Sequence, residues 1–168
     1  MLPKNRARCY GSFFPIFAVH VVPVKRRRFT SQFTAKVALE VERSFWEKAT
    51  ILHMEYYRPA EKPVPDRLVR HYADMAALWQ HPVAGKALDR DDLCARVVGW
   101  KSQFFGSAWA NYDQAKPGTF HLVPPSKRLP TLRRDYQAML DMFVAEPKGF
   151  DDILATLAAV ELRINRPK

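Results

Sequence analysis

The stretch Ser44-Phe-Trp-Glu-Lys-Ala-Thr-Ile-Leu-His-Met-Glu-Tyr-Tyr57, halted by Pro59, decides the fold class. Phe45, Ala49, Leu52 and Tyr56, with Ile51 beside them, recur at helical spacing, so one face of a helix is apolar. Ser44 and Glu47 have capping-box spacing: the serine hydroxyl accepts the Glu47 amide hydrogen and the Glu47 side chain reaches back. The reading is a helix from Ser44 to about Tyr57, stopped by Pro59, with Lys48 off the centre of its stripe and one turn before His53.

Downstream the same periodicity repeats. A proline-rich linker, 59–65, leads into a helix over about 66–80, with Asp66 as N-cap, Leu68, Tyr72, Met75 and Leu78 or Trp79 inward, and Pro82 as its stop. On it Arg70, His71 and Asp74 are neighbours at i, i+3 and i+4 spacings. A third helix spans about 89–105, with Asp91 and Asp92 in the first turn, where the helix dipole favours anions. Leu93, Val97, Val98, Trp100 and Phe104 are its apolar residues, and Lys101 follows Trp100. After a loop over 106–124 come a helix from 126 or 130 to about 145 and a last one over about 151–165. Trp79, Trp100, Met139 and Met142 are read as core, and Asp151-Asp152 as cap plus first-turn acid. The fold class is mainly α, a helical domain of about five helices over 40–168.

Upstream the composition changes. Of the +10 net charge on the 168 residues, eight basic residues lie within 1–39, where no acid occurs before Glu40. A basic arm of this kind holds phosphate backbones by counterion release, or is simply a solvated extension. Two short strands, near 13–22 and 33–41, are consistent with its Val, Phe and Thr content. The apolar run 13–24 is interrupted by Pro15, His20 and Pro23 and followed by Lys25-Arg-Arg-Arg28, which is no signal-peptide cleavage site. No run reaches the roughly 18 apolar residues of a membrane span. Cys9 and Cys94 form neither a CxxC nor a zinc spacing, so a reducing cytoplasm is expected.

Phosphate-cradling GxxxxGK[ST] and GxGxxG loops are absent, as is HExxH, and the five histidines are too scattered for a metal set. One polar constellation stands out: Lys48, His53, Arg58, Arg70, His71 and Asp74, on two helices joined by a stiff linker. It reads either as an interhelical salt-bridge network or as a site where a lysine holds phosphate and Asp74 orients it.

At these residues the sequence resembles the AbiEii/AbiGii toxin family of nucleotidyltransferases. The resemblance is carried by Arg43-Ser-Phe-Trp-Glu-Lys-Ala-Thr-Ile-Leu-His53, Tyr57-Arg-Pro59 and Arg70-His-Tyr-Ala-Asp-Met75. Lys101-Ser-Gln-Phe-Phe105, Ser107-Ala-Trp-Ala110 and Gly149-Phe-Asp-Asp-Ile-Leu154 extend it, so that it covers about 40–166. Such proteins have a DNA polymerase β-like core followed by a helical domain. The resemblance implies transfer of a nucleoside monophosphate from an NTP to an RNA acceptor such as tRNA, Mg2+ as cofactor and a cognate antitoxin as partner. It implies catalytic roles for Lys48 and Asp74, with His53, Arg58, Arg70, His71 and Lys101 binding nucleotide or RNA.

One departure matters. The family's first motif is Gly-Gly or Gly-Ser followed about a dozen residues later by Asp-x-Asp, which holds two Mg2+ ions. Here Gly11-Ser12 is followed by no carboxylate until Glu40, and no metal-ligating residue is assigned. The expectation is therefore the C-terminal half of such an enzyme, inactive alone. The alternatives are a non-catalytic basic helical module that binds RNA or a partner protein, and a gene remnant.

Overall fold

A computed structural model describes residues 41–143 and 147–167, so the expected strand near 13–22 and the extension over 1–39 lie outside the described residues. So does the expected strand near 33–41 apart from Val41, which is helical. Six α-helices are present among the described residues: α1 (Val41–Tyr56), α2 (Val69–Trp79), α3 (Val83–Leu88), α4 (Asp91–Phe104), α5 (Leu129–Ala138) and α6 (Phe150–Ile164). The mainly helical class holds. No described helix is long and apolar enough to cross a membrane.

Helix α1 is the central element. It packs on α2, α3 and α4, while α2 also packs on α5 and α6. Phe45, Trp46, Ala49 and Leu52 are fully or almost fully buried. Trp46 also donates its indole N–H to the Ala87 carbonyl of α3 at 3.0 Å, so its polar edge is satisfied inside the core. Replacing so large a buried ring by alanine costs about 3–5 kcal/mol.

Several local expectations are corrected. Ser44 lies inside α1 rather than at its start, so no capping box forms; Glu47 instead accepts from Arg43 Nε at 2.9 Å, one turn back. Asp66 does not cap α2, which begins at Val69. Asp135 on α5 takes that task, its two carboxylate oxygens accepting from the backbone N–H groups of Arg67 and Val69 at 3.0 Å each. Arg67, at φ 59°, turns its amide to meet that carboxylate.

Helix α3 was not expected, because Pro82 reads as a stop. Proline ends one helix yet suits the start of the next, since the N–H it lacks would be unpaired there; the Val83 N–H meets His81 Nδ1 at 3.2 Å. The helix expected to reach about 145 ends at Ala138 and gives way to a 3-10 turn, Leu140–Met142. The Tyr136 hydroxyl near the end of α5 donates to the Lys148 carbonyl just before α6. Met139 is buried, but Met142 is exposed. Asp151 and Asp152 both lie in the first turn of α6, whose N-cap is Gly149. Trp79 packs against the core edge, whereas Trp100 and Phe104 face outward.

Candidate anion site between helices α1 and α2

Lys48 projects from α1 toward α2, where His71 and Asp74 stand one turn apart. Its Nζ lies 2.6 Å from Asp74 Oδ2 and 3.0 Å from His71 Nδ1. Because an ammonium only donates, His71 accepts through Nδ1 and carries its proton on Nε2. Burial, with the nearby charges of Lys48, Arg70 and Lys101, lowers the His71 pKa to about 3, so the ring is neutral at any physiological pH. Lys48 and Asp74 side chains retain 23% and 11% of their exposure, so the pair is reachable from solvent.

Arg43, Glu47 and Lys101 complete the surroundings. The Lys101 pKa is lowered, first by burial and then against the pull of Glu47 by Lys48 and Arg43. Arg43 is paired with Glu47 and Lys48 with Asp74, while Arg70 and Lys101 remain to act on the neutral His71 ring through their charge. The excess of two positive charges favours an anion, and Lys48, with two of its three donors directed at Asp74 and His71, has a third to offer.

The other two expected binding residues lie elsewhere. His53 is fully buried, its Nε2–H donating to the Asn111 carbonyl at 3.1 Å and its Nδ1 accepting the His121 N–H at 3.1 Å. It rivets α1 to the loop after α4, and burial lowers its pKa. Arg58 is held by Glu55 at 2.5 and 2.6 Å, and its guanidinium lies 4.7 Å over the Trp109 ring. Contacts thus join Lys48, His71 and Asp74, Arg70 and Lys101 act on His71 through their charge, and His53 and Arg58 lie outside that group.

Sequence reasoning missed Arg43 and Glu47 as neighbours of this site; their i, i+4 spacing on α1, just before Lys48, is the signal that could have found them. It also missed Glu161, whose carboxylate accepts the Leu122 and Val123 N–H groups at 2.5 and 3.0 Å and pins the loop to α6.

A Mg2+ centre does not fit these residues. Among the described residues no three His, Cys, Asp or Glu side chains gather where they could hold a metal ion. Asp74 is moreover engaged by the Lys48 ammonium.

Comparison with known proteins adds one family. Residues 15–156 match the model of the family described as nucleotidyl transferase AbiEii toxin, type IV TA system. The match begins well before residue 40, where the motif resemblance starts, and so takes in much of the basic segment. No curated protein and no solved structure matches the chain.

Proposed function

The chain belongs to the AbiEii nucleotidyl transferase toxin family, and from that premise we propose that its Lys48 site binds the triphosphate of an NTP whose nucleoside monophosphate the family chemistry delivers to an RNA acceptor such as tRNA. The observation that carries this reading is the Lys48–Asp74–His71 contact set within a cation excess. In it Lys48 supplies a positive donor to phosphate oxygens, Asp74 fixes the direction of that donor, and neutral His71 accepts from it without adding a competing charge. Arg70 and Lys101 add long-range attraction for the same anion.

We further propose that this chain does not by itself complete the transfer. In-line phosphoryl transfer needs carboxylates that hold Mg2+ against the triphosphate, and no acid precedes Glu40 in this sequence. A Gly-Ser…Asp-x-Asp unit from outside these 168 residues would be needed. The family's classification as a toxin–antitoxin system points to a cognate antitoxin as the protein partner.

Titration with an NTP tests the reading. Weak, salt-sensitive binding that Lys48→Ala abolishes supports it, because an attraction made mainly of charge fades as salt screens it. RNA binding with no NTP binding would replace it with a non-catalytic RNA-binding module.

A further inference from the structure

Three aromatic rings adjoin one another on the outer face at the end of α4. Trp100, Phe104 and Phe105 are 37%, 60% and 48% exposed, and the Trp100 ring centre lies 5.1 and 5.4 Å from those of the two phenylalanines. Joined exposed apolar surface on a small domain marks a contact site more often than it marks chance. The neighbours of these rings narrow the kind of contact. The Arg43 guanidinium stands 5.9 Å from the Trp100 ring centre, and Lys101 Nζ stands 5.5 Å from that of Phe105. Two of the three rings therefore have a cation close by. Arg43 is also paired with Glu47, the chain neighbour of Lys48, and α1 packs on α4, so the aromatic group lies on the helix pair that carries Lys48.

We propose that Trp100, Phe104 and Phe105, with Arg43 and Lys101 close by, form a stacking platform for unpaired nucleotides, placing a single-stranded end beside the Lys48 site. The proposal rests on the reading above, in which that strand is the unpaired end of the RNA acceptor. Charge complementarity selects this occupant over an apolar partner helix. Flat rings interleaved with cations match the alternation of bases and phosphates along a strand. An apolar helix would take water from the Lys101 ammonium without bringing it an anion. Ring faces accept any base, so the platform is tolerant of sequence and strongly salt-dependent.

The test is fluorescence anisotropy of a labelled, unstructured eight-nucleotide RNA, and of the same DNA sequence, titrated with the full chain. Trp100→Ala and Trp100→Leu are each expected to weaken binding about tenfold, the order that losing one stacked base gives. Trp100→Phe should retain most of the affinity, because it keeps a ring face; leucine keeps only the apolar area. Circular dichroism should be unchanged in all three, and Phe104→Ser repeats the test should Trp100→Ala lose helicity. Unaltered RNA affinity in both Trp100→Ala and Phe104→Ser would overturn the proposal and mark the patch as a protein contact. Ring-dependent RNA binding in a chain that binds no NTP would leave the platform standing while removing the transferase reading. Equal loss for RNA and DNA supports the platform as a reader of bases; retention of affinity by Trp100→Leu argues against stacking and overturns it.

Discussion

The Lys48 ammonium on α1 and the Asp74 carboxylate on α2 meet at 2.6 Å, across the central helix pair of the domain. That contact ties the stability of the helix pair to the charge of the anion site. Removing one partner leaves the other half-buried and unpaired, which costs more than the pair contributes. Lys48→Ala should therefore lower stability by about 1–3 kcal/mol, and Asp74→Asn by less, since the amide still accepts from Lys48. Urea unfolding of the two variants measures the difference. Equal, negligible losses would show that the contact does not bear on folding.

Stability should fall as pH drops below about 6.5. His71 has its pKa lowered to about 3 by burial and neighbouring cations, and His53 is lowered in the same direction by burial. In the unfolded chain both take up a proton near pH 6.5, while the folded protein holds them neutral. Their contribution is complete above that pH and is lost progressively on the way down toward the folded values. Each lost proton difference is worth up to about 1.4 kcal/mol per pH unit. The urea midpoint should be flat with respect to these groups between pH 7 and 8 and decline from 6.5 to 5. His71→Gln should make that decline shallower, and an identical slope would show that His71 is not held neutral.

Capping of α2 comes from another helix. Asp135 accepts from the Arg67 and Val69 amides, whereas Asp66, next to Arg67 in sequence, caps nothing. Asp135→Ala should cost about 1–2 kcal/mol, and Asp66→Ala close to nothing. Thermal unfolding of the two variants separates them, and the reverse order would place the cap where local sequence alone puts it.

That contrast shows what could be read from the chain. Helical periodicity identified the apolar faces of α1, α2, α4, α5 and α6, because the residues that make such a face lie within a few turns of one another. Residue types put Lys48 and Asp74 in one polar constellation with two open readings, and only motif resemblance favoured the pair as a site, since nothing local to either residue says that their helices pack. Asp135 as a cap, His53 as a rivet to Asn111 and His121, and Glu161 as a loop anchor all join residues at least 38 positions apart. Spacing rules carry no signal for them. Trp100 was misread for a related reason: large apolar residues are usually inside, and the exposed exception is visible only once the neighbouring helices are in place.

The most direct measurement is incubation of the purified chain with radiolabelled NTP, tRNA and Mg2+. Nucleotide should bind weakly through Lys48 while no label passes to the RNA, because the proposed phosphate grip has, among the described residues, no group of carboxylates beside it that could hold a metal ion. Robust metal-dependent labelling of tRNA by the chain alone would contradict this and show that its described residues, together with the segment before Val41, form a complete transferase.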